Sequence, residues 1–476
     1  MTAAPDPAGG RDDAVAAARA RFASGAFEAA LASLVARRTD GSDPGALRDY
    51  LEEEIAPRFA ALGADTEILA PPDDAPPLLR AERIEDPALP TVLLYGHGDT
   101  VPAMEGRWSE DRDPLTLTRE GERLYGRGVV DNKGQHLIGL EALAVVHAAR
   151  GGRLGFNFRA AIEMGEERGS PGLAALFAAD PARFAADVLI ASDGPRVRAE
   201  RPTLFLGARG AANLALHCRL REGGHHSGNW GGLLRDPGIR LAHALAAITG
   251  PTGEIRVPEW RPDSLTPAVR AALADCPVDD SGPAIDPDWG EPGLTPAERV
   301  WGWNAVTVRA ALAGDPAAPV NAVPPSASAW IQLRFVVGTD EADIVPALRR
   351  HLDREGFEDV EIEGDARPMF RATRLDPDSP WALWARESLT RTLGAAPAVL
   401  PNLGGSLPND VFAETLGLPT VWVPHSHPAC SQHAPDEHAL ASTLEEGLAI
   451  MAGLWWDLGE RGGPPASRDV GAAARA

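Results

Sequence analysis

The sequence has few cysteines, and they lie far apart. Its 476 residues include only Cys218, Cys276 and Cys430, which form no CxxC pair. This spacing excludes a disulfide framework and favours a reducing compartment. The N-terminal stretch also lacks a basic start followed by an apolar block, so the sequence predicts no secretory signal peptide. We therefore expect a cytoplasmic location.

Long apolar runs and an excess of basic residues are also missing. No apolar run reaches the roughly 20 residues that span a bilayer, so we expect no membrane partner. The 68 acidic residues outnumber the 45 basic ones, and the formal net charge of −23 would repel phosphates. This charge excludes nucleic acid as an expected partner. Lysine is nearly absent; the single Lys133 is expected to support a turn or a neighbouring carboxylate rather than to act in catalysis.

The apolar sequence that is present suffices for a large core. Hydrophobic residues make up 44% of the chain and charged residues 24%, as in soluble proteins of two or three domains. Between about residues 90 and 195, apolar strands alternate with helical segments, which predicts an α/β fold with a mostly parallel sheet flanked by helices. We predict a catalytic domain in two parts, residues 1–200 and 367–476, interrupted by an α+β domain at residues 201–366.

Residues 94–102 read LYGHGDTVP and form the first candidate motif. Gly96 and Gly98 allow backbone freedom around His97 and Asp99. In an extended chain, residues two apart point to the same side, so one can bind a ligand while the other orients it. Metal-bound imidazoles often have such a carboxylate partner. The alternative is a polar junction between strand and loop with a satisfied histidine.

Four further stretches place an acid or a histidine in a loop beside an apolar strand or a helix. Asp131 precedes a helix and is alternatively only its N-cap. Glu166 and Glu167 are adjacent, so they repel each other in a cleft unless positive charge is present; alternatively they form a solvated loop. Asp193 ends another apolar strand, and His433 lies in a loop between a strand and a helix.

Taken together, these side chains follow several successive strands, on the side where α/β sheets bind ligands. Histidine and carboxylate ligands suit zinc, and also manganese or cobalt. If Asp131 is shared, the set can hold two metal ions and a bridging water, an arrangement that polarises a carbonyl and provides hydroxide near neutral pH. The sequence therefore predicts two Zn²⁺ per subunit, with Mn²⁺ or Co²⁺ as alternatives.

Seven motifs then occur in an order that resembles a known family. Between about residues 28 and 457 the chain is similar to the co-catalytic zinc amidohydrolases and metallopeptidases. These include aminoacylase, acetylornithine deacetylase, succinyl-diaminopimelate desuccinylase, glutamate carboxypeptidase and the carnosine dipeptidases. The Pro-rich stretch at residues 251–300 favours the dipeptidase and carboxypeptidase branch, and the chain is nearest to the dipeptidases. The motifs are GHGDTVP, GRGVVDNKG, EMGEERGS, ASDG, HHSGNWGG, GGSLP and SQHAPDEH.

The resemblance implies a metal-binding role for five side chains. His97 and Asp193 would hold one metal ion, and Glu167 and His433 would hold the other. Asp131 would bridge the two ions.

The resemblance also implies the catalytic groups. Glu166 would be the general base that takes a proton from the bridging water and passes it to the leaving amine. Asp99 would orient the neighbouring metal ligand. His226 would reach the active site of a partner subunit and stabilise the oxyanion. The inserted domain would accordingly be a lid and dimerisation domain, and the protein a homodimer.

Candidates for substrate binding rest on the same resemblance. In the dipeptidase branch, an arginine placed like Arg334 holds the terminal carboxylate of the substrate, which its planar fork suits. The alternative is a surface arginine on an edge strand. The GGSLP loop makes Ser406 and Gly405 candidates for the same carboxylate, and Asn304 and Asn321 are expected on the lid side of the site.

We therefore predict a metal-dependent hydrolase that cleaves an amide or peptide bond in a small substrate with a free carboxylate, as a dipeptidase or carboxypeptidase does. One alternative is an N-acyl amino acid deacylase, similar to acetylornithine deacetylase, on the same machinery. Another is a catalytically inactive binding protein on this fold. A serine hydrolase with a GxSxG motif is excluded, because GGSLP has Pro408 in the last position.

Overall fold

The computed structural model describes residues 9–278, 282–364 and 370–464. Its strands form one sheet of eight strands, one of four and two smaller ones. In chain order the strands are β1 Asp65–Leu69, β2 Leu78–Arg83, β3 Thr91–His97, β4 Thr118–Glu120, β5 Arg123–Tyr125, β6 Asn157–Glu163, β7 Val188–Ala191, β8 Thr203–Phe205, β9 Gly210–Arg219, β10 His225–His226, β11 Ala305–Ala313, β12 Ala322–Val323, β13 Ser326–Phe335, β14 Val360–Gly364, β15 Ala398–Leu400, β16 Thr420–Trp422 and β17 His438–Leu440.

Helices pack on both faces of the eight-stranded sheet and on one face of the four-stranded sheet. Within the described chain, no helix is both long enough and apolar enough to cross a membrane. The helices are α1 Arg11–Ala23, α2 Ala26–Val35, α3 Pro44–Asp49, α4 Ala56–Ala61, α5 Lys133–Ala149, α6 Leu173–Ala179, α7 Ser227–Trp230, α8 Pro237–Ile248, α9 Pro267–Ala274, α10 Pro296–Trp301, α11 Ile344–Arg354, α12 Pro380–Leu393 and α13 Ala441–Arg461.

The eight-stranded sheet has the order β1-β2-β6-β3-β7-β16-β8-β15. Its central strands β6, β3, β7 and β16 run parallel to one another, whereas β1 and β2 join antiparallel at one edge. Strand β8 is antiparallel to β16 and parallel to β15. The prediction of an α/β fold with a mostly parallel sheet is confirmed.

Strand β3 shows how helices cover both faces of this sheet. Its side chains alternate between the faces, as the two-residue period of a strand requires. Val92 and Leu94 belong to the apolar core that contains Leu137 of α5. Leu93 and Tyr95 belong to a second core on the other face, with side chains of α6 and α9. Because both faces are buried, the strand is apolar along its length, as in most parallel sheets.

The four-stranded sheet has the order β11-β13-β9-β14 and is antiparallel throughout. All its strands come from residues 210–364, between the parts of the chain that form the larger sheet. Helices α8 and α11 pack on one face and form a third core with alternate residues of β9 and β13. The predicted domain boundary at residues 366 and 367 lies outside the described residues.

Candidate metal centre

The parallel strands of the large sheet end side by side, and five candidate ligands or bases lie at or after those ends. His97 is the last residue of β3, and Glu166 and Glu167 follow β6 in a short 3₁₀ turn. Asp193 comes just after β7, and His433 lies in the loop between β16 and β17. Since these strands are neighbours and run in the same direction, their carboxyl ends bring the side chains to one edge of the sheet.

Asp131 reaches the same place from the turn before α5. A small sheet explains its position, because β5 pairs with β17 and Tyr125 lies opposite His438. The turn that follows β5 therefore runs alongside the loop that precedes β17. In this way the chain brings Asp131 next to His433 across about 300 residues of sequence.

Two groups of side chains share Asp131. In the first, His97 Nε2 lies 3.1 Å from Asp131 Oδ1 and 3.6 Å from Asp193 Oδ2. In the second, His433 Nε2 lies 2.8 Å from Asp131 Oδ2 and 3.1 Å from Glu167 Oε2. The ligand atoms of each group lie within 4.8 Å of one another. The structure thus brings together all five side chains expected as metal ligands.

Three atoms of this cluster are buried without a hydrogen-bond partner among the described residues. They are His97 Nε2, Asp193 Oδ2 and Glu167 Oε1. Burying such atoms without a hydrogen bond is unfavourable, and two metal ions, one bound in each group, would satisfy all three. Their nitrogen and oxygen donors fit divalent zinc, and also manganese or cobalt. The residues present therefore fit a pair of divalent cations that share one carboxylate.

The electrostatics of the cluster favour a positive charge. The carboxylates of Asp131 and Glu167, which accept hydrogen bonds from His433, raise the pKa of His433 to about 10. Burial opposes a charge on His97, yet the carboxylates of Asp131, Asp193 and Asp99 raise the pKa of His97 well above its usual value. The carboxylates thus favour positive charge at both imidazoles, and metal ions bound here would supply that charge in place of protons.

Glu166 lies in the same turn but belongs to neither group of ligand atoms. Burial raises the pKa of Glu166 well above its usual value; His97 opposes this rise, and the negative charges of Asp193 and Asp131 add to it. A carboxylate whose pKa is raised in this way holds a proton at higher pH than an exposed one. This property suits a group that must accept and then release a proton.

Asp99 contacts both the histidine and the turn that carries the two glutamates. His97 Nδ1 lies 3.1 Å from the backbone oxygen of Asp99 and 3.4 Å from its Oδ1. The two carboxylate oxygens of Asp99 also accept hydrogen bonds from the backbone N–H groups of Glu166 and Glu167. Asp99 therefore holds the turn after β6 in place as well as facing His97.

The glycines on either side of His97 are explained by close packing, which is a different reason from the backbone freedom expected from the sequence. Neither Gly96 nor Gly98 has a positive φ. A Cβ on Gly96 would lie 2.5 Å from the Cβ of His136, and one on Gly98 would lie 2.3 Å from Cε1 of Tyr50. Only glycine leaves room for these side chains behind the site.

A polar network behind the cluster was missed by the sequence analysis. Tyr50 Oη lies 3.0 Å from His136 Nε2, and His136 Nδ1 lies 3.2 Å from Asn132 Oδ1. Asn132 then donates to the backbone oxygen of Ser192, beside a candidate ligand. Burial lowers the pKa of His136 to about 3, so this imidazole is neutral. The adjacency of Asn132 to Asp131 is the one feature of the sequence that could have indicated this network.

Two other supporting residues lie within the motifs. Gln432, next to His433, donates from Nε2 to Asp131 Oδ2 at 2.5 Å. The single lysine, Lys133, is buried and donates to the backbone oxygen of Arg37 at 2.6 Å. Its ammonium also lies over the ring of Tyr50. Lys133 therefore ties the turn before α5 to the end of the first helices.

The candidates for carboxylate binding also lie together. Arg334, on β13, donates from Nη1 to Ser406 Oγ at 2.6 Å, and Ser406 Oγ donates to the backbone oxygen of Arg209. The backbone oxygen of Gly405 accepts from the N–H of Arg209. This loop adjoins the metal cluster, because Leu403 packs against Gly194, beside Asp193.

Three other candidates are not brought to the cluster within this single chain. His226 is exposed, and its Nδ1 accepts from the N–H of Gly228. The backbone oxygen of Asn321 accepts from Ser227. Asn304 is buried, and its amide donates to Trp260 and Thr339 and accepts from Val336, so it supports the framework of the smaller sheet.

Comparison with known proteins identifies the family. Residues 93–457 match the family described as Peptidase family M20/M25/M40. The chain belongs to this family. It is 30% identical over 367 residues to the cysteinylglycine-S-conjugate dipeptidase of Corynebacterium striatum, an alignment that covers 74% of this chain and 77% of the relative. It is 35% identical over 186 residues to the Beta-Ala-His dipeptidase of Mus musculus, covering 38% and 37% of the two chains.

Solved structures show the same fold. Human carnosine dipeptidase 1 superposes with a TM-score of 0.73 at 22% identity, covering 94% of this chain and 99% of the other. A metallo-carboxypeptidase of this family from Sulfolobus solfataricus gives a TM-score of 0.76 at 22% identity, covering 90% and 98%. The predicted resemblance is therefore confirmed. The chain is a metallopeptidase that hydrolyses peptide C–N bonds.

Proposed function

We propose that this peptidase is a dipeptidase with two zinc ions per subunit, and that it cleaves small peptides with a free C-terminal carboxylate. The observation that carries the proposal is the pair of ligand groups that share Asp131 and contain three buried atoms without a hydrogen-bond partner among the described residues. The similarity to a cysteinylglycine-S-conjugate dipeptidase over 74% of this chain supports the substrate class.

The chain's own residues would divide the work as follows. His97, Asp131 and Asp193 would hold one ion, and Asp131, Glu167 and His433 the other. When bound, such a pair polarises the scissile carbonyl and makes water acidic enough to ionise near neutral pH.

Glu166, next to that set, would take the proton of the attacking water and release it to the leaving amine. Asp99 would hold Glu166 and His97 in position relative to each other. Its carboxylate accepts from the backbone N–H of Glu166 and faces the imidazole of His97.

Arg334, Ser406 and Gly405 would form the subsite for the substrate's carboxylate. Arg209 and Arg309 lie near Arg334, and among the described residues none of these three arginines forms an ion pair with a carboxylate. Burial first, and then the charge of Arg334, lowers the pKa of Arg209 to about 10. Burial and the charge of Arg309 likewise lower the pKa of Arg334. Guanidinium groups without a counter-charge are suited to a carboxylate supplied by the substrate.

The proposal includes a homodimer formed through the inserted domain, in which His226 serves the partner's active site. His226 is exposed in the single chain and makes no contact with the metal cluster, which is consistent with a role in the other subunit. Strand β11 supports this arrangement, because β13 is its only strand partner among the described residues and lies on one side of it. Asn304 and Asn321 belong to the same inserted domain, which in this proposal spans residues 201–366.

A cytoplasmic location is part of the proposal as well. All three cysteines are buried and free, as they are in proteins of reducing compartments. Because these cysteines form no disulfide, the apolar cores stabilise the fold instead.

Hydrolysis of a substrate panel by the zinc-loaded protein, with and without a chelator, tests the proposal. The panel contains dipeptides, their C-terminal amides and N-acetyl and N-succinyl amino acids. We expect chelator-sensitive cleavage of the dipeptides and not of their amides. Cleavage of the acylated amino acids alone would identify a deacylase, and bound zinc without any cleavage would identify a binding protein.

A variant pair tests the carboxylate subsite within the same panel. Arg334→Met should raise KM for dipeptides about 10- to 100-fold, since a hydrogen bond to a charged group contributes about 1.5–3 kcal/mol. Arg219→Met is the control, because Arg219 lies on the neighbouring strand β9 and pairs with Glu361 at the surface. Equal KM values for the two variants would remove Arg334 from the subsite.

A further inference from the structure

Glu437 is a buried carboxylate near the metal centre that the proposed chemistry does not use. It lies four residues after His433 in the motif SQHAPDEH, and its exposure is only 1%. It belongs to neither group of metal ligands. A glutamate is seldom buried so completely without a specific set of partners.

Its two oxygens are fully occupied by the turn that carries Asp131. Oε2 accepts from Arg127 Nη1 at 2.8 Å and from the N–H of Gly128 at 3.0 Å. Oε1 accepts from the N–H of Val130 at 3.0 Å and from the N–H of Asp131 at 3.2 Å. One side chain therefore binds three backbone N–H groups and the guanidinium of a single turn.

The same two segments are tied together at further points. Arg127 Nη2 donates to the backbone oxygen of Ala434, and the N–H of Gly126 donates to the backbone oxygen of Glu437. Strands β5 and β17 then continue the contact as an antiparallel pair. The turn before α5 and the loop that carries His433 are thus held as one unit, with the carboxylate of Glu437 at its centre.

The charge of this unit is balanced internally. Arg127 and Glu437 are each 1% exposed and form a direct ion pair. A buried ion pair is stable only when its charged groups also form hydrogen bonds, and the three backbone N–H groups supply these to the carboxylate of Glu437. Glutamine has one acceptor oxygen and one amide N–H₂ group. In place of Glu437 it would turn a donor toward either the arginine or the backbone N–H groups.

From these contacts we infer that Glu437 is a positioning residue that sets the bridging carboxylate of Asp131 against His433. Its bond to the N–H of Asp131 fixes the main chain from which that carboxylate reaches His97 on one side and His433 on the other. Because Asp131 belongs to both ligand groups, Glu437 controls the affinity for both ions. This inference rests on the metal centre under the proposed function.

Competition for zinc with a chelator of known affinity, starting from the zinc-loaded full chain, tests the inference. Groups that orient metal ligands typically change metal affinity by 10- to 100-fold. We expect Glu437→Gln to release zinc at a chelator concentration lower by about that factor. Zinc should also raise its melting temperature by less than it raises that of the wild type, because weaker binding contributes less stability.

Asp457→Asn is the matched control. Asp457 is a second buried carboxylate, 2% exposed, and it accepts hydrogen bonds from Arg11, Arg391 and Ser388. None of these partners is a candidate metal ligand. Its replacement should lower the melting temperature with and without zinc equally and leave zinc affinity unchanged. A Glu437→Gln variant that behaves in this way would overturn the inference.

Arg127→Lys provides a second variant if Glu437→Gln does not fold. Lysine keeps the positive charge but lacks the fork that reaches both Glu437 and Ala434. We expect a smaller loss of zinc affinity in the same direction, and unchanged affinity would contradict the inference. A wild-type chain that binds no zinc would refute the metal centre itself. Wild-type zinc binding with unchanged affinity in both variants would refute only the role of Glu437.

Discussion

Glu166 and Glu167 are adjacent in sequence, yet the structure separates their roles. Glu167 Oε2 faces His433 Nε2, whereas Glu166 lies outside both ligand groups. We predict that Glu166→Gln keeps two zinc ions and the fold but lowers kcat by about 10²- to 10⁴-fold, the usual contribution of a general base. Zinc content, circular dichroism and turnover of the same preparation measure the three properties.

The neighbouring variant Glu167→Gln is the control for this prediction. It removes a charged ligand of the Asp131–His433 group, so zinc content as well as turnover should fall. If Glu166→Gln retained full activity, Glu166 would not be the base. If it lost zinc instead, it would have to be counted among the ligands.

Glu163 gives a prediction for pH dependence. It is buried at the end of β6 and accepts from Tyr95 and Ser170, both at Oε1. Burial, together with the nearby charge of Asp99, raises the pKa of Glu163 from its ordinary 4.5 to about 7. Between these values the folded chain keeps a proton that the unfolded chain releases, so the free energy of unfolding falls as pH rises through this window.

Glu163→Gln should remove that loss, because glutamine does not titrate. Its side-chain oxygen can still accept hydrogen bonds from the hydroxyl groups of Tyr95 and Ser170. Relative to the wild type, the metal-free variant should gain about 3 kcal/mol between pH 4.5 and pH 8, as 1.36 kcal/mol per pKa unit gives. Urea unfolding at both pH values measures the gain. Glu355→Gln, at an exposed position after α11, should show no such difference, and an equal pH slope in all three proteins would refute the prediction.

Much of the candidate metal centre was predictable at the residue scale, since ligand chemistry restricts the choice to histidines and carboxylates. His97, Asp131 and Glu167 were each predicted as ligands, and the structure places them within the two groups. The contacts of Asp99 with the turn after β6 were not predictable. They depend on hydrogen bonds to backbone N–H groups, which any residue supplies equally.

At the scale of elements, helix α5 begins directly at the metal centre and contains two glycines with different surroundings. A Cβ on Gly134 would lie 2.0 Å from the backbone oxygen of Val129, whereas a Cβ on Gly139 meets nothing within 4 Å. Gly134→Ala should therefore lower stability by about 1–3 kcal/mol through overpacking at the turn that carries Asp131. It should also weaken zinc binding.

Gly139→Ala is the control within the same helix. Alanine restricts the unfolded chain and favours the helix, so this variant should gain about 0.5–1 kcal/mol with unchanged zinc affinity. Thermal unfolding and zinc competition of both variants decide the matter. Equal stability of the two variants would show that the start of α5 adjusts freely and does not hold the turn.

The longer strands and helix α5, which follows Asp131, were predictable as elements, because their apolar periodicity is strong. The pairing of β5 with β17 was not, since both are only three residues long and lie far apart in sequence. Short strands carry little periodicity, so their partners are decided by the packing of the rest of the chain.

At the scale of the whole molecule, the four-stranded sheet has an exposed edge, β11, that carries apolar side chains and has no further strand partner among the described residues. Val308 and Leu312 on β11 are each 47% exposed. An exposed apolar edge strand is suited to pairing with a second chain. We predict that Val308→Lys combined with Leu312→Lys converts the proposed dimer to a monomer in analytical ultracentrifugation.

The same variant tests the role of His226. If His226 serves the partner's active site, the monomer should keep its zinc and lose most of its turnover. Ile84→Lys, at a position 43% exposed after β2 of the large sheet, should leave both association and turnover unchanged. A monomeric wild type, or a fully active monomeric variant, would contradict the proposed dimer.

The sequence by itself determined which residues could bind metal and that they follow the strands of a parallel sheet. Side-chain chemistry and the period of apolar residues are properties of short segments, and these survive without knowledge of the fold. The tertiary structure alone decided how the segments meet. Glu437 lies 306 positions from Asp131 and reaches its backbone only because the turn and the loop pack together. Such contacts depend on the path of the whole chain, which no local pattern specifies.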